Sequence, residues 1–562
     1  MSTTQCTTPA QLRYRTMIDD YWYKNAIIYS LDLETFMDGN GDGVGDFRGL
    51  SERLDYLHGL GVDVIWLAPF QPTPNRDNGY DISDYYGVDP RHGSGGDFAE
   101  FMHLANDRGM KVIIDLVINH TSDQHPWFQQ ARQGEDNPYH DWYVWSKEKP
   151  EDAEEGIIFP GVQERTWTYD RKAQKYYFHR FYEFQPDLNM GNPAVREELH
   201  RVVGYYLSLG VAGFRVDAVP FVLETQVPGG LDNVKIRFEI LEDLRQFLSW
   251  RRGDAVLLGE ANVDPKQAKK YFGDGGGLHM MFNFYVNQFL FHALASKDTG
   301  PLRKALEQTR MDLPMAQWGH FLRNHDELDL GRLSEEQRQL VFEHFGPKKE
   351  MQLYDRGIRR RLAPMLSDRP QIELAYSLMF SLPGTPVMRY GDELGMGDDL
   401  SLKERDAVRT PMQWSEDSNA GFSSASTKDL VHPLIDKGPY AFRLLNVEEQ
   451  MRRDDSLLNW TKRMVRLRKE CPEIGYGEWE LVDTGQPAVL GIRYRFRGKI
   501  VLILHNLSDE PLVVELKKKP ETACRLIDLR EVVALAPEKD GTHLVRLGSL
   551  GYRWFRLKEV RD

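Results

Sequence analysis

The sequence predicts an α/β protein organised around a closed (β/α)8 TIM barrel, with an inserted subdomain after strand 3 and a C-terminal antiparallel β-sandwich domain. Three observations predict it. Short apolar runs alternate with amphipathic helical stretches over most of the 562 residues, the pattern of βα units on a parallel sheet. Eight such runs can be counted, the number that closes a barrel. The first of them is not followed by a glycine-rich phosphate loop, so an open doubly wound sheet is the weaker alternative.

Residues 1–20 read as a polar lead-in, and the barrel takes 21–120 and 191–475. Its strands are the runs 26–30, 62–68, 111–118, 213–219, 255–259, 280–284, 320–323 and 386–389. Pro69 stops the second. Helical spacing marks 50–57, which ends at Gly59 and Gly61, and also 98–105, 195–207 and 241–250. Two intervals are too long for plain βα loops. Residues 121–190, rich in Trp, Tyr, Pro and acids, read as an inserted domain. Residues 327–370 read as a helical insertion between the seventh and eighth strands, placed to act as a lid. Its basic run at 356–361 is either a solvated face or an internal ion-pair cluster. From 476 the pattern turns to antiparallel strands at 490–495, 500–504 and 512–516, which defines a C-terminal sandwich over 476–562.

The balance of 71 basic against 85 acidic residues, a net charge of −14, argues against nucleic acid or an anionic membrane as the main partner. No apolar run approaches a membrane span, and the N-terminus shows no secretory pattern. The three cysteines, Cys6, Cys471 and Cys524, have neither metal-ligand spacing nor a disulfide framework, so a reducing cytoplasmic setting is expected.

Charge inside these apolar runs is the signal for chemistry, because a buried charge is costly unless paired or used. Arg215 and Asp217 interrupt the fourth strand. Asp115 lies in the third, with Asn119 and His120 at its end. Glu260 ends the fifth, and His325 and Asp326 follow the seventh. The C-terminal ends of barrel strands share one mouth, where active sites sit. Asp217, Glu260 and Asp326 should therefore converge, and neighbouring carboxylates drive their pKa values apart. A nucleophilic carboxylate beside a protonated one is the apparatus of a retaining glycosidase.

With these residues in view, the chain resembles the α-amylase family of glycoside hydrolases and transglycosylases. The matching motifs are Asp115-Leu-Val-Ile-Asn-His120, Gln185-Pro-Asp-Leu-Asn189, Gly213-Phe-Arg-Val-Asp217, Gly259-Glu260-Ala-Asn262 and Asn324-His-Asp326, in the family's order. The resemblance implies Asp217 as nucleophile, Glu260 as general acid and base, and Asp326 as the group that holds sugar hydroxyls and helps distort the ring. It implies that Arg215 orients Asp217, that His120 and His325 bind glucose, and that Tyr80 stacks under it. Asp77 and Arg409 match the residues that close the pocket in exo-acting members, so a short substrate such as a disaccharide is expected.

The segments around 345–365 and Val408-Arg-Thr-Pro-Met-Gln-Trp414 are similar to those of the maltose–trehalose glucosylmutase branch. Ala218 replaces the bulky residue usual in α-1,6-cleaving relatives. The expected reaction is interconversion of maltose and trehalose by intramolecular transglucosylation, with some hydrolysis. A hydrolytic α-glucosidase or small-substrate α-amylase acting on maltose, sucrose or short maltooligosaccharides stays open as the alternative. The same resemblance points to a functional link with a maltokinase and leaves a homo-oligomer open.

Asp38, Asn40, Asp42 and Asp46 alternate with glycines, an oxygen-rich turning loop suited to Ca²⁺. Gly49 stands where an EF-hand needs Glu, so it is not an EF-hand. Family relatives bind calcium in a matching loop, with the carbonyl of Val44. A second calcium set, carried over from the glucosylmutases, comprises Asn119, Asp187 and Glu224 with the carbonyls of Phe221 and Val222. No organic cofactor is implied.

Overall fold

The structure is a computed structural model that describes residues 21–225, 235–516, 524–538 and 541–559. The lead-in at 1–20, with Cys6, lies outside the described residues, as does the side chain of Cys524. Eight parallel strands close into a barrel: β1 (Ile28–Leu31), β2 (Val64–Leu67), β3 (Lys111–Leu116), β4 (Gly213–Val216), β5 (Val256–Gly259), β6 (Met280–Phe282), β7 (Gln317–Phe321) and β8 (Thr385–Arg389). β8 pairs back onto β1, so the sheet has no free edge.

Alternate residues of each strand face the bore. Ile28, Val64, Trp66, Ile113, Val256, Leu258, Met280, Phe282, Phe321 and Val387 form one apolar cluster that fills it. Two positions beyond Ile113, Gly213 and Val387 come Asp115, Arg215 and Arg389, all buried. The register sets Asp115 beside Arg215, and Arg215 beside Leu258 of β5. The packed interior thus ends in a charged layer at the C-terminal mouth, capped on one side by the ion pair of Arg389 with Asp32.

The fourth strand is shorter than expected. It stops at Val216 because Ala218 takes a left-handed backbone (φ 48°) and starts the helix Val219–Leu223. Asp217 therefore sits on the turn just past the strand. The seventh strand begins earlier than its apolar run, at Gln317.

The region 121–190 folds around a three-stranded antiparallel sheet (Trp145–Ser146, Lys175–Phe178, Trp167–Asp170), with Val144, Ala153, Trp167 and Phe178 as its small core. The 327–370 insertion is mixed rather than purely helical: the helix Glu335–Phe345 is joined by short strands Leu328–Asp329, Gln352–Leu353 and Gly357–Ile358. Its basic run is an internal ion-pair cluster and not a solvated face. Arg356 pairs with Asp329, Arg360 with Asp398, and the buried Arg361 with Asp392.

The C-terminal region begins its first strand at Glu478 and forms a six-stranded antiparallel sheet facing a two-stranded one. Val489, Leu502, Leu504, Val514, Leu526, Val545, Leu547 and Phe555 pack between them. Its other face rests on the barrel helix Arg369–Ser381. There the Trp554 indole donates to Ser377 (2.9 Å), and the Tyr494 hydroxyl donates to the carbonyl of Ser381 (2.5 Å). Among the described residues no helix is long and apolar enough to cross a membrane.

A β-carbon at Gly213 would overlap the carbonyl of Val256 on the adjacent strand. Gly213→Ala is expected to destabilise the fold by about 2 kcal/mol through overpacking, read as a lower Tm in thermal unfolding. An unchanged Tm would show that β4 and β5 can part at no cost.

Candidate active site

The site is built outward from Arg215, whose side chain is 1% exposed. Its Nη1 lies 2.5 Å from Asp217 Oδ1 and 3.3 Å from Asp115 Oδ2, and its Nη2 lies 2.9 Å from Glu260 Oε1. One guanidinium thus joins carboxylates from three neighbouring strands. Burial works against its charge, but Asp115, Glu260, Tyr80 and Asp217 outweigh it and hold Arg215 firmly protonated. The backbone N–H of Ala218 donates to Glu260 Oε2 at 3.1 Å, so the left-handed turn after β4 also orients the glutamate.

Each partner is itself held. Asp115 accepts from the Trp66 indole (2.8 Å) and the Tyr80 hydroxyl (2.6 Å). Tyr80 shares a further hydrogen bond with His325 Nε2 (2.9 Å), and the two rings lie stacked at 5.7 Å and 19°. Arg409 donates to the His325 carbonyl (3.0 Å) and pairs with Asp326 (3.2 Å). Arg405 reaches the same Asp326 oxygen (3.2 Å) while also gripping Glu327 (2.8 Å). His120 bonds the Tyr80 carbonyl through Nε2 (3.1 Å).

These surroundings separate the three acids. Burial pushes Glu260 up to about 7, aided by Asp217 and Asp326 and opposed by Arg215. Burial pushes Asp217 up to about 6, with the Arg215 pair restraining it. Asp326 is buried too, yet the guanidinium groups of Arg405, Arg409 and Arg215 hold it well below the usual carboxylate range. Burial lowers His325 to about 3 and His120 to about 4, so both rings are neutral at pH 7. The arrangement can therefore offer one proton donor, one nucleophile and one permanent anion around a single opening.

The structure brings Asp217, Glu260, Asp326, Arg215, Tyr80, His325, His120 and Arg409 together. Asp77 stands nearby but does not ion-pair with Arg409. It accepts from Gln185 (2.8 Å), and burial raises it to about 6. Arg409 is drawn instead to the fully ionised Asp326. Sequence reasoning left Asp115, Trp66, Arg405 and Glu327 out of the site. Asp115 was detectable as a charge inside an apolar strand. The other three look like core or surface residues until the loops are in place.

In the glycine-rich loop, Asp38 accepts from the backbone N–H groups of Asn40, Gly41 and Gly43, and Asp46 from those of Gly39, Asn40 and Gly49. Asp42 accepts from the N–H of Val44. In the second set, Asp187 accepts from the N–H of Arg180 (2.9 Å), and Glu224 pairs with the Arg180 guanidinium (2.7 Å). Phe221 and Val222 lie on the adjoining helix after β4. Among the described residues no three His, Cys, Asp or Glu side chains converge into a metal-sized cluster.

Residues 30–344 and 359–477 match the family described as α-amylase, catalytic domain, and 498–556 match the sucrose hydrolase-like C-terminal domain. The chain belongs to the α-amylase family of barrel enzymes. Within it, the chain is similar to trehalose synthases: it is 41% identical over 546 residues to that of Thermus thermophilus, across 97% of this chain and 56% of that protein. It thus spans little more than half of the Thermus relative. It is 41% identical over 555 residues to the trehalose synthase/amylase of Mycolicibacterium smegmatis, across 96% of this chain and 93% of that one. Among solved structures, the trehalulose synthase of Pseudomonas mesoacidophila superposes with a TM-score of 0.75 at 26% identity, covering 96% of this chain and 99% of that one.

Removing the central cation should make folding pH-dependent. Without Arg215 the folded pKa values of Asp115, Asp217 and Glu260, already raised to about 6, 6 and 7, rise further above their unfolded values. Such groups support folding at low pH and oppose it as pH rises. Arg215→Met is expected to unfold near the parent temperature at pH 5 and to lose about 3 kcal/mol or more by pH 8, seen in thermal scans across that range. A pH-independent difference would mean that the carboxylates do not depend on this cation.

Proposed function

We propose that the protein is a retaining α-glucosyl-transferring enzyme that interconverts maltose and trehalose by intramolecular transglucosylation, with some hydrolysis to glucose. The observation that carries the reading is a single buried Arg215 joined to both Asp217 and Glu260, in a chain so similar to trehalose synthases. Asp217, the more readily ionised of the pair, attacks the anomeric carbon of the terminal glucosyl unit. Glu260 gives its proton to the glycosidic oxygen as that C–O bond breaks and glucose is released. Positive charge developing at the anomeric carbon is stabilised by Asp217 and Asp326.

Glu260, now a carboxylate, takes the proton from the anomeric hydroxyl of the retained glucose. That oxygen attacks the same carbon, the bond to Asp217 breaks, and an α-1,1 link replaces the α-1,4 link. Two inversions preserve configuration. Water in place of glucose gives hydrolysis. Tyr80, fixed by Asp115 and His325, supplies a rigid platform for the sugar, and Asp77, His120, His325 and Arg409 bind its hydroxyls at the closed end. A cytoplasmic setting fits the buried free thiol of Cys471, and the reading carries a maltokinase as a functional neighbour.

Calcium belongs to the same proposal. Asp38 and Asp46 are 4% and 2% exposed, and among the described residues neither has a Lys or Arg within ion-pair distance. A hard cation on their oxygens, with Asn40, Asp42 and the Val44 carbonyl, would supply the missing countercharge and brace the loop. The second set does not fit an ion in this arrangement, because Arg180 already occupies Glu224.

Incubation with maltose is expected to yield trehalose together with some glucose. The rate should fall below about pH 6 as Asp217 is protonated and above about pH 7 as Glu260 loses its proton. Asp217→Asn should cost a factor of at least about 10⁴. Glucose as the sole product, resolved by anion-exchange chromatography, would make the protein a hydrolase.

Chelation with EDTA is expected to lower Tm, and added Ca²⁺ at about 100 times its Kd should restore about 2.7 kcal/mol. Asp42→Ala should remove that response. A Tm indifferent to both treatments would exclude calcium from the loop.

A further inference from the structure

Away from the carboxylates, three segments distant in the chain meet on one side chain. Glu404, in the loop after β8, accepts through Oε2 from the hydroxyls of Tyr182 (3.0 Å) and Tyr354 (2.9 Å). Tyr182 comes from the 121–190 region and Tyr354 from the 327–370 insertion. Between them lies the ring of Phe159, 5.0 Å from each. Tyr354 and the next residue, Asp355, both hold left-handed backbone (φ 53° and 56°), a costly pair of conformations for non-glycine residues. The phenol–carboxylate bond and the tilted contact with the Phe159 ring anchor that turn. The neighbour of Glu404 in sequence, Arg405, lies over the rings of Phe159 and Tyr354 (5.1 and 5.7 Å) and reaches Asp326. The three-way junction is therefore one residue away from the group that holds the anion of the site.

We propose that Glu404, with Tyr182 and Tyr354, is a latch that seals the two insertions over the pocket and thereby sets how the glucosyl unit is partitioned between the retained glucose and water. This rests on the transfer reading above. The three are positioning residues: they make no contact with the reacting carboxylates, and they act by keeping released glucose in and bulk water out during the life of the Asp217 ester. Charge-assisted hydrogen bonds of this kind are strong enough to shift such a partition several-fold.

The test uses Glu404→Gln and the double variant Tyr182→Phe/Tyr354→Phe in the full chain. With maltose, the ratio of glucose to trehalose in initial rates should rise about fivefold or more, while turnover of an activated aryl α-glucoside changes less than about twofold. The same variants should gain about fivefold in kcat/KM for maltotriose relative to maltose, because an opened seam admits a longer chain. This second ratio is informative whether sugar or water is the acceptor. If the parent enzyme makes no trehalose but the maltotriose ratio rises, the transfer reading fails and the sealing role stands. If both ratios stay at parental values, or all activities fall in parallel, the latch is overturned.

Discussion

A single buried cation governs this site. Arg215 sits at the top of a bore otherwise filled by aliphatic and aromatic side chains, and its charge is tolerable there only because Asp115, Asp217 and Glu260 surround it. That requirement reaches back into the fold. Three strands must keep one register for the four groups to meet, and Gly213 keeps β4 and β5 close enough for them to do so. Buried ion clusters are poor sources of net stability, since apolar packing of equal volume does as well. The arrangement is better understood as a means of holding two carboxylates close together with different proton affinities.

The division of labour follows from unequal shares of positive charge. Asp217 takes the shortest link to Arg215 and Glu260 a longer one, while each acid feels two neighbouring carboxylates. Asp326 is reached by both Arg405 and Arg409, and it stays ionised despite its burial. Proton affinity among these acids thus tracks the count and distance of guanidinium groups and not depth alone. The neutral state of His325 belongs to the same pattern, because its ring is shut between Tyr80 and Trp66.

Much of this was legible in the sequence, for identifiable reasons. Seven of the eight barrel strands lie on the apolar runs that announced them and the seventh only overlaps its run at 320–321, because a parallel strand buried on both faces is mostly apolar. Asp217 and Glu260 stood out since a charge ending such a run has few structural excuses. What could not be read was anything depending on how loops return over the mouth. Arg405 and Arg409 are equivalent as letters, yet one bridges Asp326 to Glu327 and the other ties Asp326 to the His325 backbone. Asp77 drew a partner in Gln185 instead of Arg409 for the same reason. The basic run 356–361 turned inward because acids at Asp329, Asp392 and Asp398, far along the chain, fold back against it.

The proposed catalytic carboxylates would not by themselves decide which acceptor wins. In the proposed mechanism, attack by a sugar hydroxyl and attack by water would both use Glu260 as base and Asp217 as leaving group, so a change in either residue would scale both rates together. Discrimination has to come from the acceptor's position. A glucose held beside the ester reacts with an effective concentration that can reach about 10⁵–10⁸ M, far beyond what solvent water offers, but only while it is confined and oriented. Confinement is a property of walls, and the 121–190 region, the 327–370 insertion and the loop after β8 meet at Glu404, whose neighbour Arg405 reaches Asp326. Under the proposed latch, the same acids would therefore give mutase or hydrolase outcomes according to how those three segments are fastened to one another.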